Sequence, residues 1–204
     1  MISRLPRAFK RKDSRPNFFQ SMVLDIVKYG NSVLRAKGVK IDKPDASTEK
    51  LVADMLETME AANGVGLAAQ QIGMPIQLAV IDVTGVEDRP STMEVDGKAV
   101  KVEEQMPLIL LNPVLELGPD KEDGIEGCLS FPEVTGEISR SKRVKVKANR
   151  LNGTPIEFEA SGLLARALQH EVDHLNGILF IDRMNAAQKA GIAGRLKRLQ
   201  KDNR

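Results

Sequence analysis

Apolar residues recur at four-residue steps in the stretch 47–63. Leu51, Met55 and Met59 form one such series, and this spacing is typical of an amphipathic α-helix that buries one face. Gly64 follows, and glycine commonly ends a helix. The pattern therefore predicts a helix that ends before Gly64.

Three short segments are instead rich in Val, Ile and Leu and are bounded by Gly, Pro or polar residues, as β-strands are. They span residues 76–83, 108–117 and 144–150. Polar and apolar residues alternate in the last segment, so one of its faces is expected to contact water.

Two further helices are predicted in the second half of the chain. The first lies between Ser161, which is suited to an N-cap, and Gly177, which is suited to a left-handed C-terminal cap. The second, at about residues 185–200, is amphipathic and basic. Helices separated by groups of strands, without regular alternation, indicate an α+β fold. We expect a single domain with antiparallel or mixed β-sheets around the central helix, and with a C-terminal helix.

The composition is that of one globular domain, because 204 residues with 42% hydrophobic side chains can bury one sizeable core. No apolar run approaches the ~20 residues of a membrane span, and no secretory signal pattern is present. We therefore expect a soluble intracellular protein with no membrane partner.

Charge is distributed unevenly along the chain. Residues 1–21 hold six Lys or Arg and one acid, residues 183–204 hold seven and one, and the residues between them hold 17 basic and 26 acidic side chains. Basic ends on an acidic body suggest a nucleic-acid partner, although a charge run is more often a solvated surface.

The first 21 residues also lack an apolar period and contain proline, so we interpret them as a basic extension, disordered or non-native, before a catalytic domain of residues 22–204. Two explanations remain open. Either Met22 is the true start, which we favour, or the Arg-rich, acid-poor segment is an organelle transit sequence.

Candidate chemistry lies on the central helix, which carries both histidines of the chain, His170 and His174. A four-residue step turns about 40° beyond one full turn, so both imidazoles project from one face and can bind one metal ion, with Glu171 beside them. Leu163 and Ala167 continue this stripe, which places the histidines on the buried face. Two core histidines bonded to carbonyl groups are the alternative.

Cys128, the single cysteine, is the remaining soft donor. A structural zinc site fills four positions with Cys or His, whereas a catalytic site keeps three protein ligands and leaves the fourth position to water. Two His and one Cys fit the catalytic arrangement, although an isolated cysteine is more often a small buried apolar residue.

Three separate motifs resemble those of the peptide deformylase family and follow in the same order. They match GxGxAAxQ, EGCLS and QHExDHL and occupy residues 64–71, 126–130 and 169–175. The similarity of the flanking pattern extends from about Val23 to Arg183. We take the three motifs together as specific for the family.

The resemblance implies an enzyme that removes the N-formyl group from the initiator formyl-methionine of nascent polypeptides and releases formate. One divalent metal ion is expected on Cys128, His170 and His174, with Fe²⁺ implied by the family, although the same donors suit Zn²⁺, Ni²⁺ or Co²⁺. A metal-bound water would attack the formyl carbonyl, with Glu171 as general base and then general acid.

Further roles are implied by the same resemblance. The N–H of Leu129 and the side-chain amide of Gln71 would stabilise the oxyanion, and Glu126 would pair with Arg140. The segment around Gly66 would bind the substrate backbone by strand-like pairing. The expected pocket for the methionine side chain is formed by Val65, Leu163, Ala167 and the stem of Arg166.

A nascent-chain substrate also implies where the enzyme works. We expect the cytoplasm of a bacterium, and we expect the basic C-terminal helix to dock on ribosomal RNA near the tunnel exit, where the effective substrate concentration is high. No DNA partner is expected.

Other functions compete with this interpretation. A metalloprotease would use a distant Glu or Asp as third ligand, and an electron-transfer copper site would add a methionine. An inactive, deformylase-like binding protein would retain the fold alone. A dinucleotide loop at residues 64–69 is disfavoured because a helix, not a strand, is predicted before it.

Overall fold

A computed structural model describes residues 21–203. The expectations for the segment before Ser21 lie outside the described residues. The elements in chain order are α1 (Ala46–Ala61), β1 (Gly66–Ala68), β2 (Leu78–Ile81), β3 (Ser91–Val95), β4 (Lys98–Val100), α2 (Val102–Gln105), β5 (Leu108–Leu117), β6 (Lys121–Cys128), β7 (Phe131–Ser141), β8 (Arg143–Asn149), β9 (Pro155–Ser161), α3 (Gly162–Leu175) and α4 (Ala186–Asp202).

The first helix follows the predicted spacing of apolar residues. The Asp45 side chain caps α1 by accepting a hydrogen bond from the N–H of Thr48 at 2.9 Å, which satisfies one of the free donors at the helix start. Met55 and Met59 are buried. The prediction for residues 47–63 is therefore confirmed, with the ends shifted by one or two residues.

The strands form two antiparallel sheets, as expected for an α+β domain. Seven strands follow the order β1-β2-β5-β8-β9-β3-β4, and β6 pairs with β7 in a separate hairpin. Strand β8 buries Val144, Val146 and Ala148 and turns its other residues outward, which confirms the predicted alternation. The predicted strand 108–117 coincides with β5, whereas 76–83 shortens to β2.

The central helix α3 contacts strands of both sheets. Leu163, Leu164 and Leu168 are buried in the main core together with Val146 and Phe158 of the large sheet. Gly162 has a φ of 66° and leads directly from β9 into the helix, and a Cβ there would lie within 3.1 Å of the Pro90 carbonyl carbon. The predicted helix between Ser161 and Gly177 is thus confirmed.

The last helix begins after the N-cap Asn185, whose side chain accepts a hydrogen bond from the N–H of Gln188 at 2.9 Å. Its apolar residues Ile192, Leu196 and Leu199 pack against a second core cluster formed with β7. Within residues 21–203, no helix is both long and apolar enough to cross a bilayer.

Candidate metal centre

Both histidines of the chain lie on the buried face of α3. His170 is 5% exposed and His174 is 1% exposed, and their ring centroids are 5.0 Å apart. The four-residue spacing predicted this arrangement, because successive helix turns place such residues above one another.

Cys128, the single cysteine of the chain, completes the group from the two-stranded sheet of β6 and β7. Cys128 is the last residue of β6, and its Sγ lies 3.2 Å from Nε2 of His174. The donor atoms of Cys128, His170 and His174 all lie within 4.8 Å of one another. The structure therefore brings the three predicted metal ligands together.

Glu126 fixes the orientation of His170. Oε2 of its carboxylate lies 3.0 Å from Nδ1 of His170, while Nε and Nη2 of Arg140 donate to Glu126 at 2.9 and 3.0 Å. This is the expected Glu126–Arg140 pair. Since a carboxylate accepts at Nδ1–H, Nε2 of His170 remains available to a metal ion.

The electrostatics of this group keep Glu126 ionised. Burial by itself raises the pKa of Glu126, but hydrogen bonds with His170 and Arg140 outweigh it and hold the pKa well below its usual value. Burial also lowers the pKa of His174 well below its usual value. A neutral imidazole at His174 is the form that binds a metal.

The donor set fits a divalent metal ion. A tetrahedral ion holds nitrogen and sulfur ligands roughly 3.3–3.8 Å apart, and the three donors need only small shifts from their observed positions to reach that spacing. A cavity of about 20 Å³ lies beside them, which is room for about one water molecule. Three protein ligands and space for one more match an open, catalytic coordination.

Glu171 lies at this cavity and is 4% exposed. Burial raises the pKa of Glu171 to about 7. Within residues 21–203, its Oε2 atom has no hydrogen-bond partner. Its carboxylate contacts Gly66 so closely that a Cβ at Gly66 would lie 2.8 Å from Cδ of Glu171.

Gln71 reaches the cavity from a 3₁₀ turn at residues 69–72. Its Oε1 accepts a hydrogen bond from the N–H of Ala68 at 2.9 Å, which turns the amide nitrogen Nε2 toward Cys128, 3.5 Å from its Sγ. Leu129, in the turn between β6 and β7, lines the same cavity. Both expected oxyanion donors therefore border the metal ligands.

The residues expected to form the methionine pocket divide into two groups. Val65, Leu163 and Ala167 lie together in the main core cluster next to α3. The guanidinium of Arg166 points to the other sheet, where Nη1 donates to Oε1 of Glu126 at 2.9 Å.

Sequence reasoning did not assign two residues of this region. Asp173, between the two histidines, accepts hydrogen bonds from Arg140 and Arg183. Its place within the QHExDHL motif was a usable signal. Lys28 donates from Nζ to the carbonyl of Leu129 at 3.0 Å, and no pattern in the sequence indicates that contact.

A larger cavity of about 500 Å³ lies on the opposite side of α3, between Gln169, Val172 and the outer part of β5. None of the three metal ligands lines it. The small cavity, in contrast, is lined by two of them, Cys128 and His170.

Comparison with protein families gives the same assignment as the geometry. A family model of polypeptide deformylases matches residues 23–190. Among curated relatives, a peptide deformylase of Methylacidiphilum infernorum is 51% identical over 180 residues, which cover 88% of this chain and 94% of the relative. One from Opitutus terrae is 46% identical and covers 90% of this chain and 96% of the relative.

Solved structures agree with this similarity. The crystal structure of a peptide deformylase from Thermotoga maritima is 39% identical, with a TM-score of 0.69 over 80% of this chain and 98% of that chain. An Arabidopsis thaliana peptide deformylase, solved with an inhibitor, is 34% identical, with a TM-score of 0.75 over 88% of this chain and 91% of that chain.

Proposed function

Because this chain belongs to the peptide deformylase family and is a metallohydrolase that removes the formyl group from N-terminal formylmethionine, we propose that Glu171 moves the proton in this reaction. The observation that carries this proposal is the buried Oε2 atom of Glu171, which has no hydrogen-bond partner within residues 21–203, in a residue that lines the cavity beside the metal ligands. A pKa of about 7 suits a group that both accepts and donates a proton near neutral pH.

Cys128, His170 and His174 would hold the divalent ion. When bound, the ion supplies a Lewis acid that lowers the pKa of a water molecule and polarises a carbonyl. Two imidazoles and a thiolate suit Fe²⁺, Zn²⁺, Co²⁺ and Ni²⁺ alike. We expect Fe²⁺ in the active enzyme on the strength of the motif resemblance.

Two neutral donors would bind the oxyanion that forms when the formyl carbon becomes tetrahedral. Gln71 is held through Oε1 by the N–H of Ala68, so its Nε2 is oriented before substrate arrives. The backbone N–H of Leu129 would be the second donor, and Lys28 supports that turn through the Leu129 carbonyl. Donors that are already oriented stabilise developing charge most effectively.

The substrate backbone would pair with β1. In the seven-stranded sheet, β1 is an edge strand whose described partner is β2 alone, and an open edge accepts an extended peptide as an added strand. Gly66 of this strand contacts Glu171, so a peptide there would reach the cavity. Val65, Leu163, Ala167 and the stem of Arg166 would surround the methionine side chain.

The enzyme would meet its substrates as formylated nascent chains in a bacterial cytoplasm. The apolar stripe of α4 packs on the body, which leaves Lys197, Arg198 and Lys201 exposed on the helix. This basic face would contact ribosomal RNA near the tunnel exit.

A formate-release assay on formyl-methionyl peptides tests the role of Glu171. Protein purified without oxygen should contain one equivalent of metal, with iron found by elemental analysis. Glu171→Ala should retain that metal and lose at least ~10²–10⁴-fold in turnover, as expected for a lost general acid or base. The Glu171→Gln variant, of nearly equal volume, is the matched control for packing and should lose a similar factor. Near-normal formate release by either variant contradicts the proposal.

A further inference from the structure

Arg166 extends the stripe of metal ligands by one helix turn. Arg166, His170 and His174 follow at four-residue steps on α3, and the Arg166 side chain is only 3% exposed. A charged group so deeply buried requires specific partners, because burial without them is strongly unfavourable.

The partners of Arg166 lie on the β6–β7 hairpin. Nη1 donates to Oε1 of Glu126 at 2.9 Å and to the carbonyl of Ile138 at 2.8 Å, and Nη2 donates to the carbonyl of Glu122 at 3.0 Å. The opposite oxygen of the same carboxylate, Oε2 of Glu126, lies 3.0 Å from Nδ1 of His170. Arg166 and His170 thus hold the two oxygens of one carboxylate.

The fold makes room for this guanidinium. A Cβ at Gly124 of β6 would lie 2.9 Å from Cζ of Arg166. Any residue other than glycine at this position would therefore overlap the guanidinium where it now lies. The close approach lets one side chain reach the backbone of both hairpin strands.

The two arginines that bind Glu126 start from different elements. Arg140 lies on the hairpin and joins Glu126 to it, and its Nη1 also donates to Asp173 of α3. Arg166 lies on α3 and fixes the carboxylate relative to the helix that carries His170. Because Cys128 ends β6, the same contacts set the distance between the cysteine and the two histidines.

We propose that Arg166 is a positioning residue for the metal centre: it holds Glu126 against His170 and fixes the hairpin that carries Cys128 relative to α3. This inference rests on the proposed ligands and goes beyond the suggested contact of the Arg166 stem with the methionine side chain. Removal of a group that orients a metal ligand typically weakens metal binding by 10–100-fold.

Cobalt(II) binding provides a test that does not depend on activity. The ion reports thiolate and imidazole ligation through its visible and near-ultraviolet absorption, and competition with a chelator gives its affinity. Arg166→Met, which keeps most of the volume and loses the guanidinium, should bind Co²⁺ about 10–100-fold more weakly and with an altered spectrum. Turnover of the reconstituted enzyme should fall, with little change in KM for a formylated peptide.

Two further variants make the outcome decisive. Arg143→Met removes an arginine whose side chain is 62% exposed and should leave affinity and spectrum unchanged. Arg166→Lys keeps the charge, but one ammonium cannot reproduce the planar set of donors that reaches Glu126 and both carbonyls. It should show an intermediate loss of affinity, and it decides the question if the methionine variant does not fold.

A purely structural role predicts a different result. In that case the Arg166 variants melt at lower temperature, but they bind Co²⁺ with wild-type affinity and spectrum once folded, and this result overturns the proposal. A wrong assignment of the metal ligands gives a different result. If Cys128 is not a ligand, the cobalt-loaded wild-type protein shows no thiolate-to-cobalt absorption band, and Cys128→Ala has the same spectrum.

Discussion

Gly66 shows how closely strand β1 and the side chain of Glu171 pack together. A Cβ at this position would overlap the Glu171 carboxylate and lie 2.8 Å from its Cδ. Gly66→Ala should therefore displace Glu171 and lower turnover, by up to the ~10²–10⁴-fold of a lost general acid or base, while the metal remains bound. Formate release and metal content measured on the same sample check this.

The matched control for that variant is Gly191→Ala on α4. A Cβ at Gly191 has no neighbouring atom within 4 Å, and alanine favours a helix over glycine by about 1 kcal/mol. Its turnover should be unchanged. If Gly66→Ala instead has wild-type turnover, the close contact between Gly66 and Glu171 is not required for catalysis.

Gln71 is expected to stabilise the transition state more than the bound substrate. Removal of one oxyanion donor typically costs about 2.7–4 kcal/mol in turnover, so Gln71→Leu should lower kcat by about 10²–10³-fold with little change in KM. Steady-state kinetics on a formylated peptide separate the two parameters. A change in KM alone would assign Gln71 to substrate binding instead.

Gln70→Leu serves as the comparison for that variant. Gln70 is equally buried, but its Nε2 donates to the carbonyl of Leu175 at 3.3 Å, outside the cavity. We expect this substitution to reduce thermal stability and to leave kcat of the folded protein near wild type.

The sequence predicted the metal ligands well because their chemistry is local or rare. His170 and His174 share one helix face by spacing alone, and Cys128 was the remaining soft donor in the chain. The direction of the Arg166 guanidinium could not be predicted, since it depends on Glu126 and on two carbonyls about 30 to 45 residues away in sequence. Contacts between a helix and a hairpin distant in sequence leave no periodic pattern in the sequence.

At the level of elements, α3 owes its position to apolar packing against the large sheet. Leu168 is fully buried in the main core, so Leu168→Ala should destabilise the protein by about 2–5 kcal/mol through lost burial and a residual cavity. Urea denaturation followed by circular dichroism should show a lower midpoint with an unchanged slope.

Val114→Ala on β5 is the control for this substitution, because Val114 is 64% exposed and a surface change of this kind is usually worth less than ~0.5 kcal/mol. Equal losses of stability in the two variants would show that α3 is not held by the packing at Leu168.

Elements with a strong apolar pattern were predictable, and several strands of similar length were not. β9 alternates buried Ile156, Phe158 and Ala160, and β3 joins β4 through Asp96-Gly97 at positive φ, a recognised hairpin signal; both were missed although their patterns were available. β6 is different, because it is acidic and contains two glycines. Its stability comes from pairing with β7 and from buried arginines, which propensity does not reveal.

At the scale of the whole molecule, the basic C-terminal end has a structural explanation and a proposed use. Ile192, Leu196 and Leu199 attach α4 to the second core cluster, so deletion of the helix would expose that cluster and confuse loss of docking with loss of stability. Charge reversal on the exposed face avoids this problem. The residues to change are Lys197, Arg198 and Lys201.

The triple Glu variant of these residues should release formate from a free formylated peptide at the wild-type rate, because α4 lies outside the cavity at the metal ligands. Its co-sedimentation with ribosomes should be lost, and the wild-type affinity should fall steeply with salt, since each phosphate contact contributes about one unit to the log–log slope. Lys37, Lys40 and Lys43 are also exposed, and their reversal gives an equal change of net charge elsewhere. Ribosome binding that survives in the α4 variant, or that disappears equally in this control, would rule out specific docking through α4.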